Sequence, residues 1–273
     1  MEESGEVRRR RLALRRRKRK KRSAVAMSMM EHLSELRSRL IFSLAAFLVL
    51  SVVAFVFFNQ ISDFLLRPLC SLPEENLGPN GCRLIFTSAL EPVTVRLKVT
   101  AMVGIVAASP IWLYQVWAFI VPGLHPKEKK YAIPFVFISV FLFAIGAVFA
   151  YVTLPSALRF LVSLGGENLI PFFSANEYLS FIGLIVLVFG VTFEAPLLLF
   201  FLGLVGVVNV AQLRGFRRSA IVGITVIAAV VTPSQDPYTM LAMAVPLYLF
   251  YEGTILALAV VARRRARRSA TEI

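Results

Sequence analysis

The feature that most constrains this chain is a series of apolar runs, each free of charge or nearly so. Leu40–Phe58 is 19 residues without a charge. Val99–Pro122 and Tyr131–Leu158 are uncharged, Tyr178–Val208 carries only Glu194, Ser219–Val231 is uncharged, and Pro237–Ala262 carries only Glu252. A bilayer core of about 30 Å needs about 20 apolar residues as helix. Backbone polar groups in lipid must be satisfied within a helix or a closed barrel, and the scarcity of period-two alternation argues against a barrel. The expected fold class is an all-α membrane protein with six transmembrane helices.

The charge agrees once it is located. The chain of 273 residues is 58% hydrophobic, with a mean hydropathy of +0.73, yet has a formal net charge of +14. Residues 8–22 hold 12 Lys/Arg and residues 263–268 hold 5, so 17 of 30 bases lie in the tails. From Ser23 to Ala262 there are 13 bases and 12 acids, a net of +1. This distribution excludes a soluble globular domain, a disordered chain and a disulfide-rich secreted module. The organisation expected is a basic tail over 1–30, a six-helix transmembrane domain over 31–262 and a second basic tail over 263–273. Six spans put both termini on one side, and excess Lys/Arg stays cytoplasmic. Lys127, Lys129 and Lys130, and then Arg214, Arg217 and Arg218, fall in gaps on the tail side. Asp63, Glu74, Glu75, Glu91, Glu167, Glu177 and Asp236 fall in the opposite gaps, where Arg67, Arg83 and Arg159 are among the exceptions. Both termini are therefore expected in the cytoplasm, with the chain crossing its membrane several times.

The fifth run has 13 residues before Thr232-Pro233. As helix it covers roughly 20 Å, less than the hydrocarbon thickness. It either thins the bilayer locally or tucks behind its neighbours. Pro110, Pro134, Pro155 and Pro246 lie in the runs and imply kinks. Cys70 and Cys82 share the first extracytoplasmic loop, where a disulfide can form and persist. The N-terminal tail lacks the apolar core and small-residue cleavage site of a secretory signal. It reads as a polybasic topology anchor that also attracts anionic membrane lipid. No internal repeat is evident, which weakens an inverted-repeat transporter reading.

No catalytic set appears. His32 and His125 are the only histidines, and there is no phosphate-binding loop or metalloprotease motif, so neither an enzyme nor a cofactor is expected. The acids say more. Leu33, Leu36 and Leu40 repeat at helical spacing, so Glu35 falls on the polar side of an amphipathic stretch at the cytoplasmic surface. Its bland role is an i,i+4 pair with Arg39. Glu128 reads as a solvated acid among lysines. Glu194 differs, because an isolated carboxylate in a span costs about 2.5–3.5 kcal/mol on insertion scales and marks either function or an interhelical contact. Pro196 beside it removes a helix hydrogen bond. Glu252 is a second such site or a partner for another helix. Trp112, Tyr114, Trp117 and Phe119 cluster near one end of the second run and read first as an interfacial belt.

Several of these stretches carry a resemblance. His32-Leu33-Ser34-Glu35-Leu36-Arg37, Ser109-Pro110-Ile111-Trp112-Leu113-Tyr114-Gln115-Val116-Trp117-Ala118-Phe119 and Pro122-Gly123-Leu124-His125-Pro126-Lys127-Glu128-Lys129 resemble the TatC family. So do Phe193-Glu194-Ala195-Pro196 and Thr232-Pro233-Ser234-Gln235-Asp236. The motifs occur in order across roughly residues 30–262. The resemblance implies a core receptor subunit of the twin-arginine translocase, which exports folded proteins. It implies a signal-peptide-binding surface that includes Glu35, Arg37, Phe119 and Glu128. Pro68 matches a proline of the first extracytoplasmic loop, Glu194 the polar residue of the fourth span, and Asp236 the acid of the last outside loop. The implied partners are twin-arginine signal peptides and single-span proteins of the TatA/TatB type, within an oligomeric complex. Met240 departs from the family at a position that is often polar.

The charge chemistry suits that reading. Adjacent arginines present two planar forks, each able to pair with a carboxylate through charge-assisted, often bidentate bonds. Lysine offers only a point charge. The alternative reading is a proton-coupled small-molecule transporter using Glu194. A membrane-anchored nucleic-acid binder ranks last, because the basic tails lack interleaved aromatics, and no nucleic-acid partner is expected.

Overall fold

The structure is a computed structural model that describes residues 29–120, 132–166, 171–232 and 237–271. The chain divides into two compact units, residues 1–44 and 45–273. The helices, in chain order, are α1 (Met29–Val56), α2 (Phe58–Cys70), α3 (Glu91–Ala107), α4 (Ser109–Ile120), α5 (Ala132–Ser163), α6 (Ala175–Thr192), α7 (Ala195–Val205), α8 (Val210–Gly215), α9 (Arg217–Val231) and α10 (Pro237–Thr271). No strand occurs among the described residues; one isolated bridge joins Ile85 to Ser174. The fold is all-α, as expected.

Its packing is that of a chain whose exterior faces lipid. Phe137 is 73% exposed while Ser139, two residues on, is fully buried. In water that would be inverted; in lipid the apolar side chain belongs outside and the hydroxyl seeks protein. Four segments are each long and apolar enough to cross a membrane: Leu33–Val56, Ile133–Ser163, Ala175–Val205 and Pro237–Arg264. A fifth forms if α3 and α4 cross together, with a 52° bend between them. Pro110 stands just beyond that bend, where its missing N–H disrupts the helical ladder. α9, at 15 residues, is short, as its sequence implies.

One expectation about the spans is corrected. Pro134 makes no kink, because α5 begins at Ala132 and places it in the first turn, where an absent N–H costs nothing. α10 continues beyond the apolar run that ends at Ala262, through the arginine stretch to Thr271. Arginine is a good helix former, and basic side chains suit a helix C-terminus.

α5 and α6 approach closely at two glycines. A Cβ at Gly190 would collide with the Phe143 ring, and one at Gly146 with the backbone oxygen of Phe189. Small residues of this kind let membrane helices gain contact area. The main core lies between α3, α5 and α6 and includes Val99, Leu154, Ile182, Ile185 and Phe189. A second cluster, around Leu213, Tyr251, Ile255 and Leu258, joins α8 to α10. α8 starts on a reciprocal cap: Asn209 Oδ1 accepts from Gln212 N at 2.8 Å, and Gln212 Oε1 accepts from Asn209 N at 2.9 Å.

Candidate functional site

Within unit 1–44, Glu35 lies on α1 one turn before Arg39. Arg39 Nε donates to Glu35 Oε1 at 3.2 Å, and a second guanidinium nitrogen reaches the same oxygen. The other oxygen, Oε2, is shielded from solvent and has no hydrogen-bond partner among the described residues. Arg37 is exposed. In unit 45–273, Phe119 is half-buried in the last turn of α4. Glu128 and Asp236 lie outside the described residues.

Glu194 sits in the break between α6 and α7. Its N–H donates to Val191 O at 3.1 Å, a tightened turn that ends α6, and Pro196 stands at the start of α7. The carboxylate is buried and accepts through Oε2 from the Ser139 hydroxyl of α5. Oε1 is buried without a partner among the described residues. A polar group with unused acceptor capacity is thus held inside an apolar wall.

Pro68 lies in the last turns of α2, and its consequences reach across the molecule. Having no N–H, it leaves Phe64 O without its i+4 donor. The Tyr151 hydroxyl of α5 donates to that oxygen at 2.7 Å, with the two rings stacked at 4.5 Å. One residue on, Tyr178 of α6 enters the ladder itself. Its hydroxyl accepts from Leu69 N at 3.1 Å and donates to Leu65 O at 3.0 Å, bridging a pair that would bond directly in an unbroken helix. Insertion of a side chain into the ladder is a recognised cause of helix bending. Two tyrosines thereby dock α2 against α5 and α6. Cys70 and Cys82 are joined by a disulfide, Cα to Cα 4.9 Å, which ties the end of α2 to the following loop.

Glu91 has a role its sequence position does not suggest. It reads as one more acid of an outside loop, but it is buried. Oε2 accepts from Thr87 N, from Thr87 Oγ1 at 2.8 Å and from Ser88 N at 3.3 Å. Oε1 accepts from Ser174 Oγ at 2.8 Å and Asn176 N at 2.9 Å. One carboxylate thus satisfies donors at the starts of both α3 and α6, where helices present free N–H groups. The only advance signal was an acid followed by Pro92, a pattern suited to a helix start.

Other charges also find partners inside the fold. Arg96 lies within α3. Its guanidinium packs on Phe55 at 4.3 Å and Phe58 at 5.1 Å and donates to Phe55 O at 3.2 Å. Aromatic faces here replace part of the water a cation loses. Glu252 pairs with Arg217 at 2.7 Å, across from α10 to the start of α9, and accepts from Tyr248 at 3.2 Å. It is a contact between helices rather than a second isolated acid. The tryptophans do not form the expected belt. Trp117 is buried against Phe135 and Phe201, and Trp112 donates to Ile105 O at 3.1 Å while its edge meets Phe143. Their rings fill gaps between α4, α5 and α7 because the 52° bend turns them inward.

A family model described as Sec-independent protein translocase protein (TatC) matches residues 31–246. A Sec-independent protein translocase protein TatC from Frankia casuarinae is 45% identical over 251 residues, covering 90% of this chain and 69% of that protein. Its namesake from Aquifex aeolicus is 42% identical over 233 residues, covering 84% of this chain and 93% of that one. A crystal structure of a twin arginine translocase receptor, TatC, in the detergent DDM superposes with a TM-score of 0.71 at 42% identity. It covers 83% of this chain and 99% of that one.

Proposed function

The chain belongs to the TatC family, and on that premise we propose that it is the receptor core of a twin-arginine translocase, binding Arg-Arg signal peptides with Glu35 and Glu128. It is a multi-pass membrane component of a Sec-independent protein translocase and not an enzyme. Its membrane is the bacterial cytoplasmic membrane, with both basic tails inside, the six-helix domain over 31–262 between them, and the recognition surface facing the cytoplasm.

One observation carries the residue assignment. Glu35 uses a single oxygen for Arg39, and its Oε2 has no hydrogen-bond partner among the described residues. A shielded carboxylate oxygen with no donor is an unmet acceptor, and an incoming guanidinium supplies the charge-assisted bond it lacks. Glu128 offers the second carboxylate, so that each arginine of the pair has one. The resemblance adds Arg37 and Phe119 to the residues proposed to contact the peptide, Phe119 through its apolar ring. Pro68 belongs to the first extracytoplasmic connection, Asp236 to the last outside loop, and Glu194 offers Oε1 to a polar group on a single-span partner of the TatA/TatB type. The complex is oligomeric.

The test is binding of a fluorescent signal peptide to the purified full-length protein in detergent, in Arg-Arg and Lys-Lys forms. Arg-Arg binds more tightly, and Glu35→Ala and Glu128→Ala each reduce the difference. Equal affinity for the two peptides overturns the receptor reading. Removing residues 1–22 leaves the preference intact; its loss would move recognition into the tail.

A further inference from the structure

A groove of about 520 Å³ opens between α3, α5 and α6 at the end of the bundle that carries α2 and the disulfide. Its wall is apolar, made by Met102, Leu158, Leu161, Phe173, Phe181 and Leu184. Its volume lies within the range of about 300–1,000 Å³ usual for ligand sites, which combine an apolar lining with a few placed polar groups. Leu184 and Phe172 are exposed at its mouth, so it faces the surrounding lipid.

The polar groups gather at one rim. Glu177 lines the groove one turn before Ser180 and Phe181 on the same face of α6. Its carboxylate is exposed and makes no hydrogen bond or ion pair among the described residues. Lys98 lies one turn before Met102 on α3, on the groove side, and its ammonium donates to Asn176 Oδ1 at 2.7 Å. Asn176 is the residue next to Glu177. A carboxylate thus stands at the rim of an apolar slot, and an ammonium is held beside it through Asn176 without pairing with it among the described residues; exposed Arg159 adds positive charge next to Leu158 on α5.

We propose that this groove binds a zwitterionic aminophospholipid, one acyl chain in the slot, its phosphate on Lys98 and its primary ammonium on Glu177. The pattern matches that headgroup in both sign and donor chemistry. A primary ammonium gives Glu177 charge-assisted N–H bonds. A quaternary choline has no N–H to give, and a glycerol headgroup brings only neutral hydroxyls to the carboxylate, without a charge to pair. Basic groups alone would favour any acidic lipid; the carboxylate at the rim makes the difference.

Native mass spectrometry of the full-length protein, with phosphatidylethanolamine, phosphatidylcholine and phosphatidylglycerol of identical acyl chains, tests this. Phosphatidylethanolamine is retained over each of the others by about threefold, the scale of one exposed charge pair. Glu177→Gln brings the ratios to near one, and Lys98→Gln lowers retention of all three lipids. Ser180→Trp fills the slot and removes retention without changing which headgroup binds at other sites. Equal retention of the three lipids, or ratios unaffected by Glu177→Gln, overturns the headgroup assignment. Retention unaffected by Ser180→Trp overturns the site and leaves the groove to a protein partner. None of these residues takes part in signal recognition, so this outcome and that of the peptide assay are separable.

Discussion

Pro68 and Tyr151 are expected to be energetically coupled, because one frees the acceptor that the other uses. Phe64 O has no N–H four residues on and takes the Tyr151 hydroxyl instead, at 2.7 Å. A net intramolecular hydrogen bond contributes roughly 0.5–1.5 kcal/mol. Tyr151→Phe keeps the stacked ring and removes only the hydroxyl, so it costs about 1 kcal/mol. In a Pro68→Ala background, the new N–H reaches Phe64 O along the helix. The hydroxyl is then redundant, and Tyr151→Phe costs close to nothing. The coupling of about 1 kcal/mol lies within the range for directly interacting neighbours. At about 2–4 °C per kcal/mol for a chain near this size, it is measurable by thermal unfolding in detergent at fixed lipid content, with the four proteins of the cycle side by side. Equal costs of Tyr151→Phe in the two backgrounds would refute the claim that the proline creates the acceptor. Tyr178→Phe is the internal comparison. Its hydroxyl serves two backbone groups at a buried position, so its loss costs more than that of Tyr151, roughly 1–3 kcal/mol.

Two further outcomes follow from the same geometry. Glu194→Ala reduces export of a reporter cargo far more than it reduces signal-peptide binding, since the residue lies in the α6–α7 break with one oxygen that has no partner among the described residues; the reverse ordering in paired export and binding assays removes its partner-contact role. Replacing Cys70 and Cys82 together by Ser opens a loop with a separation of 12 residues. It lowers stability by about 3 kcal/mol on the chain-entropy account, and unfolding midpoints unchanged by the substitution would show that the tyrosine docking of α2 suffices without the bridge.

Local features were legible in proportion to how local their causes are. The pairing of Glu35 with Arg39 needs only an i,i+4 spacing on a helix, and it is there. The short α9 and the break at Glu194-Ala195-Pro196 follow from run length and from proline. The candidate recognition residues came from motif resemblance, which orders them along the chain without giving distances between them. Glu91 was the least legible. Its partners Ser174 and Asn176 are 83 and 85 residues away, and the acid looks like any other loop carboxylate until α3 and α6 are side by side. Trp117 misled for a related reason: tryptophan near a span end favours the interface on average, but the bend after Ala107 turns this one inward.

By itself the sequence determined that this chain is a bundle of membrane helices. An apolar run of span length in lipid has one economical way to satisfy its backbone, and that constraint acts along each segment alone. The net +14, placed mostly in two tails, carries the orientation expected for that bundle in the same one-dimensional way. What the tertiary structure decided is where the few polar groups within the bundle go. Glu91, Arg96, Glu194 and Glu252 each take partners from another helix or from its flanking loop. Lipid offers these groups nothing, so their partners had to come from elsewhere in the fold, and only the packing of distant segments settles which.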